Sequence, residues 1–273
     1  MAPVPAMVVL LHSSTGSARQ WAGLTEQLAV QYRVDAVEFH GHGAQPGWTG
    51  PSRMTLADEA ALAAPLLDAP GGVHLVGHSY GGAVALKLAT LYPQSVRSVT
   101  VYEPVLFHWL IDDDPDTQAA REVVAVAEAV RRGVFRGDHR AAAECFIDFW
   151  SGAGTWALLP AGRREGIAAR MDAVRQHFDA LIAEPLRGRD LARLPIPMLC
   201  LSGTRTVAAT RRIAALLRDA VPPARHELLP GLGHMGPVTH SALVNARIRA
   251  FLDDVQRPGV PVPGHAGPVC VAG

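Results

Sequence analysis

The sequence predicts an α/β fold: a mostly parallel sheet with helices on both faces, interrupted by a helical insertion. Three observations carry that prediction. Short continuous apolar runs alternate with amphipathic stretches up to Pro104, as in buried parallel strands joined by right-handed crossover helices. Between residues 112 and 189 only helical periodicity remains. The strand–helix alternation then resumes to residue 255.

In chain order, residues 6–11 (AMVVLL) read as the first strand, bounded by Pro5 and a Ser/Gly turn. Residues 34–39, 73–76 and 96–102 are further strands, and 21–31, 56–67 and 81–91 are the helices between them. Within the insertion, 117–131, 140–149, 163–174 and 177–183 read as helices separated by Gly- and Pro-bearing turns. A strand at 196–201, a helix at 210–220, a strand at 225–229 and a closing helix at 241–255 complete the pattern. Residues 256–273 are rich in Pro and Gly, lack periodicity and are expected to form a flexible tail. The division is thus core (1–104), helical cap insertion (105–190), core (191–255) and tail (256–273).

Bulk properties narrow the function. A chain of 273 residues, 49% of them apolar, can bury one large core. The 25 basic and 25 acidic residues cancel, so no charge footprint points to nucleic acid or an anionic membrane. Lys87 is the only lysine, and the arginines are scattered. Cys145, Cys200 and Cys270 show neither CxxC pairing nor metal-ligand spacing, which argues for a reducing compartment. The N-terminus lacks the marks of a signal peptide, and no run is long enough to span a bilayer. The expectation is a soluble cytoplasmic protein acting on a small molecule, without nucleic-acid or membrane partners; a homo-oligomer stays open.

The strongest chemical signal is the segment from Val73 to Gly82, VHLVGHSYGG. A buried strand runs into Gly77-His78-Ser79-Tyr80-Gly81 and then into a helix. A strand-to-helix turn this sharp needs glycine where side chains would strike neighbouring backbone, and it lifts the Ser79 hydroxyl out of the sheet at the positive end of the helix. The bare pentapeptide occurs by chance in ordinary tight turns; the strand–turn–helix context makes it specific.

With this motif, the chain resembles an α/β-hydrolase with a helical cap over residues 6 to 255. The resemblance implies Ser79 as nucleophile. It implies that LLHSSTG, residues 10–16, supplies half an oxyanion hole through the backbone N–H of Ser14, or else of Ser13, with the N–H of Tyr80 as the other half. Relatives usually read His-Gly where this chain has His12-Ser13. In GLGHMGP, residues 231–237, His234 takes the family's catalytic base position; His240 is a nearby competitor at the start of the closing helix. The usual acid follows the strand before the last one, and Thr206 stands there. A hydroxyl can orient an imidazole but cannot balance imidazolium with a full charge, so Glu103, at the end of the strand after the nucleophile helix, is the expected acid. The order Ser79, Glu103, His234 keeps the family order. The alternative reading of Glu103 is a strand-end residue anchoring the cap hinge. Relatives also begin with two further strands, so a reduced sheet of about six is expected.

Other residues carry weaker signals. His40 and His42 resemble a loop of the family and have no third metal ligand nearby, so a structural role is expected. His78 reads as elbow packing. Trp109, Phe146, Trp150, Trp156 and Phe178 lie in or beside the cap; most read as core aromatics, and some should line a pocket beneath it. Ser13, Trp109, Phe146 and Trp150 are candidates for the substrate pocket. The implied reaction is hydrolysis of a small carbonyl compound, foremost a carboxylic ester, by a Ser-His-Glu triad through an acyl-enzyme, with no metal or organic cofactor. A serine at the elbow argues against dehalogenation and epoxide opening, which use Asp in similar proteins. Carbon–carbon bond hydrolysis, perhydrolysis and a ligand-binding pseudoenzyme remain open alternatives.

Overall fold

A computed structural model describes residues 5–257 of the chain. Six parallel strands, β1 (Met7–Leu11), β2 (Arg33–Val37), β3 (Val73–His78), β4 (Val96–Tyr102), β5 (Met198–Gly203) and β6 (Arg225–Leu229), form one sheet in the order β2-β1-β3-β4-β5-β6. The first helices are α1 (Ala22–Leu28), α2 (Leu56–Ala63) and α3 (Tyr80–Leu91). Between β4 and β5 come α4 (Phe107–Asp113), α5 (Gln118–Phe135), α6 (His139–Ser151), α7 (Thr155–Leu158), α8 (Ala161–Ala168), α9 (Met171–Ile182) and α10 (Gly188–Ala192). The last three are α11 (Ala208–Ala220), α12 (Gly236–Thr239) and α13 (Ser241–Gln256).

The β1 sequence explains its central place. Met7, Val9 and Leu11 enter the larger apolar cluster with α2, α3 and the insertion. Val8 and Leu10 point the other way, into a second cluster with α1 and α13. Strand side chains alternate between faces, so a run apolar at every position fits only a strand covered on both sides. The expectation of double burial fails at β2, which forms the sheet edge and is half exposed at most positions. An edge strand has a neighbour on one side only, and its Arg33 and Asp35 reach water.

The insertion is more helical than its sequence pattern suggested. The separate helices expected at 163–174 and 177–183 are replaced by α8 and a continuous α9. No Gly or Pro lies between Val174 and His177, and Met171, Val174, Phe178 and Leu181 form one buried stripe at helical spacing. Burying each such side chain contributes about 1.5–3 kcal/mol, which outweighs the modest helix propensity of the intervening residues. Helices α4, α7, α10 and α12 are too short for periodicity to reveal. Helix α13 runs through Gln256, so the first residue of the expected tail is helical. The tail from residue 258 onward, and Cys270, lie outside the described residues.

The sheet order sets the site. β1 and β3 are neighbours, yet α1 leaves β1 toward one face and α3 leaves β3 toward the other. Adjacent strands whose helices diverge open a crevice at their carboxyl ends. The segments after β1, β3, β4, β5 and β6 all converge beside it, beneath α6 and α9.

Candidate active site

Ser79 caps α3 with φ 56° and ψ −116°, a left-handed conformation that costs a non-glycine residue about 1–3 kcal/mol. The surrounding backbone enforces it. The Ser79 N–H donates to the Tyr102 carbonyl (3.0 Å) and the Gly81 N–H to the His12 carbonyl (3.1 Å). A Cβ on Gly77 would lie 2.3 Å from the Gly81 carbonyl oxygen, and one on Gly81 2.3 Å from that of Leu11. Both glycines are therefore steric requirements of the turn.

Three side chains from three strand ends join at this elbow. The Ser79 hydroxyl lies 2.9 Å from His234 Nε2, and His234 Nδ1 lies 2.8 Å from Glu103 Oε2. All three residues are buried. Glu103 also has a positive φ, 44°. Its Oε1 accepts the Gly203 N–H (2.8 Å), and its Oε2 accepts the Thr206 hydroxyl (2.6 Å). Thr206, at the usual acid position after β5, thus buttresses the carboxylate of Glu103. This chain of contacts can pass a proton from hydroxyl to imidazole and hold the imidazolium against a carboxylate. His240 is exposed and bonds to the Thr239 hydroxyl, far from this relay in role.

The loop after β1 separates the two serines. The Ser13 N–H donates to Gln20 Oε1 (3.1 Å), and so does its hydroxyl (2.9 Å). The backbone N–H groups of Ser14 and Tyr80 find no acceptor among the described residues. Ser14 is therefore the available donor of the pair. Gln20 Nε2 donates to His78 Nδ1 (3.1 Å), and His78 Nε2–H donates to the His234 carbonyl (2.8 Å). Burial holds His78 well below the ordinary histidine range, so its neutral ring is a strut between Gln20 and the segment that carries His234. Nothing in the sequence marks this strut beyond a histidine beside the elbow.

A narrow cavity of about 10 Å³, room for roughly one water, lies over Ser79, lined by Ser14, Val105, Phe107, Phe146, Trp150, Val174, His177, Phe178 and Leu181. Trp150 stacks on the His234 ring, 3.9 Å between centroids and 20° from parallel. Two of the pocket expectations need correction. Trp109 faces away: its indole N–H donates to the Leu186 carbonyl (2.7 Å) beside α10. Two residues along a helix is more than half a turn, so Phe107, not Trp109, meets the cavity. Ser13 does not line it either, because Gln20 holds its polar groups. His42 is a loop anchor, its Nε2 accepting the Thr15 N–H (3.2 Å) and its Nδ1–H donating to the His40 carbonyl (3.0 Å).

The sequence matches the model of the alpha/beta hydrolase family over residues 8–247. It is 26% identical over 259 residues to a pimeloyl-(acyl-carrier protein) methyl ester esterase of Neisseria meningitidis, covering 91% of this chain and 94% of that protein. It is 28% identical over 258 residues to the dihydrolipoyllysine-residue acetyltransferase component of the acetoin cleaving system of Cupriavidus necator. That match covers 90% of this chain, which spans 63% of the Cupriavidus protein. The fold is similar to the crystal structure of an enol-lactonase from Burkholderia xenovorans, with a TM-score of 0.72, 20% identity and 92% of each chain covered.

Proposed function

The chain belongs to the alpha/beta hydrolase family, and on that premise we propose that it is a serine hydrolase of a small carboxylic ester, working through a Ser79–His234–Glu103 triad and an acyl-enzyme. The observation that carries this reading is the continuous hydrogen-bonded line from Glu103 through His234 to Ser79 at the buried elbow between β3 and α3. The methyl ester esterase named above supports the choice of an ester.

In the first step Ser79 Oγ attacks the ester carbonyl carbon while its proton passes to His234 Nε2. The carbonyl oxygen gains the negative charge and receives the N–H groups of Ser14 and Tyr80. Glu103 holds the imidazolium through Nδ1–H, and its own charge is kept in place by Gly203 and Thr206. The tetrahedral intermediate then collapses. The ester C–O bond breaks, and His234 gives its proton to the departing alkoxide. Water, activated by the same imidazole, attacks the acyl-enzyme and releases the acid. Trp150 covers His234 and keeps bulk water from the base, which strengthens the charge contacts around it. This reaction needs no metal or organic cofactor.

The carboxylate at Glu103 weighs against a pseudoenzyme, because the charge that Thr206 cannot supply is present on the neighbouring strand. Labelling with a fluorophosphonate probe tests the reading. Ser79 is expected to label, and Ser79→Ala to abolish the label. Folded wild-type protein that stays unlabelled and hydrolyses no nitrophenyl acetate overturns it. Cytoplasmic location remains part of the proposal; no helix among the described residues is long and apolar enough to cross a membrane.

A further inference from the structure

The mechanism above uses Ser14 and Tyr80 only through their backbone. Their side chains meet at one residue of the insertion, His177 on α9, which is 1% exposed. His177 Nδ1 lies 2.8 Å from the Ser14 hydroxyl. Its ring stacks on Tyr80, with centroids 3.7 Å apart and planes 8° from parallel. His42 stacks on His177 as well, at 5.1 Å and 13°. His42 in turn holds the N–H of Thr15, the residue after Ser14, whose φ is 61°.

We propose that His177 is a positioning residue that ties α9 to both oxyanion donors, so that the hole is correctly set only while the insertion is seated on the core. The proposal rests on the hydrolase reading. Burial keeps the His177 ring neutral, with its affinity for a proton well below the ordinary histidine range. A neutral ring has one acceptor nitrogen and one donor. Nδ1 accepts the Ser14 hydroxyl proton, and Nε2–H faces Glu59 Oε1 at 3.4 Å. Glu59 Oε1 also receives the Tyr80 hydroxyl (3.3 Å). One imidazole thus fixes the Ser14 side chain and the Tyr80 ring, leaving both backbone N–H groups free for the substrate. Packing alone does not explain a histidine here. An apolar ring would fill the space against Tyr80 and would avoid burying Nε2, which lacks a hydrogen-bond partner among the described residues.

The experiment compares wild type, Ser14→Ala, His177→Phe and the double variant on a nitrophenyl ester, with circular dichroism to establish that each is folded. Ser14→Ala keeps the backbone N–H, and His177→Phe keeps an aromatic ring against Tyr80. Each is expected to lower kcat about tenfold to a hundredfold, with KM within about twofold, because a misplaced donor is felt chiefly in the transition state. Affinity for a trifluoromethyl ketone, which forms an oxyanion on Ser79, should fall by the same factor as kcat/KM. The double variant should be no worse than the worse single one. The proposal is overturned if either folded variant keeps wild-type kcat, if the loss falls on KM alone, or if the two losses multiply. Should His177→Phe not fold, Ser14→Ala decides by the same criteria. An active wild type with unaffected variants sinks this inference alone; an inactive wild type sinks the hydrolase reading and this inference with it.

Discussion

Two Ser–His–Glu arrangements face each other across the cavity, and they are built differently. In Ser79–His234–Glu103 both contacts are short, 2.9 and 2.8 Å, and the carboxylate accepts from Gly203, Thr206 and His234. In Ser14–His177–Glu59 the first contact is 2.8 Å but the second is 3.4 Å. Glu59 accepts only longer bonds, from the His40 N–H (3.2 Å) and the Tyr80 hydroxyl (3.3 Å). Burial therefore dominates at Glu59 and pushes its carboxyl up to about 7. The serines differ too: Ser79 is strained at the head of α3, whereas Ser14 sits in the loop after β1. On the proposed reading, the same three residue types make a base relay where the carboxylate is well supplied with donors. Where it is not, they make a brace.

The largest expected effects separate the two arrangements. Ser79→Ala and His234→Ala should each lower kcat by about a millionfold, as when a nucleophile or its base is removed from such a unit. Glu103→Gln should lower it about ten-thousandfold by disturbing the imidazole's tautomer and charge balance. If Glu103→Gln leaves ester hydrolysis unchanged, the relay has been misassigned, and a dyad or another acid must be sought. Thr206→Val sharpens the point: loss of one bond to Glu103 should cost roughly tenfold, equivalent to about 1.4 kcal/mol.

A smaller effect concerns pH and stability. Burial lowers His42 to about 2 and His74 to about 3, and holds His78 and His177 well below their ordinary value. Below about pH 6.5 the unfolded chain protonates these rings while the native chain resists. Stability therefore falls on acidification, by up to about 1.4 kcal/mol per pH unit for each such histidine. Glu59 works in the opposite sense. With its native pKa raised, its contribution is full at acid pH and is lost as the pH rises through about 7. The melting temperature should drop between about pH 7 and pH 5, and Glu59→Gln should steepen that drop. A flat profile in wild type, or a shallower one in the variant, contradicts this assignment.

The smallest effect on turnover lies in the cavity wall. Phe107 stacks on Phe178 at 5.6 Å, and Phe146 meets Trp150 edge-on at 6.2 Å. So filled a pocket should favour short acyl chains. Phe146→Ala should shift the optimum of a nitrophenyl ester series toward longer chains, with a stability cost of about 3–5 kcal/mol read in urea. An unchanged chain-length profile places the acyl group elsewhere.

Much of this was legible in the chain. The uniformly apolar run at residues 7–11 could only be a covered strand, and the glycines around Ser79 announced a turn without room for side chains. His234 was distinguished from His240 by its place between the last strand and the closing helix. The rest depended on distance in three dimensions. Trp109 and Phe107 have similar composition signals, and only the rotation of α4 sends one to α10 and the other to the cavity. His177 did leave a trace, a polar residue beside the apolar stripe of α9, but its partner Ser14 lies 163 residues away.

By itself, the sequence determined the alternating framework, the elbow and the residue types able to perform acyl transfer. Those properties are local, because strand burial, turn sterics and helix periodicity act within a few residues. Tertiary structure decided which carboxylate meets which histidine, that Thr206 supports Glu103, and that Ser14 rather than Ser13 has a free N–H. Each is a competition among hydrogen-bond partners brought together from distant strand ends, and such competition is settled by ångström-scale distances that spacing along the chain does not encode.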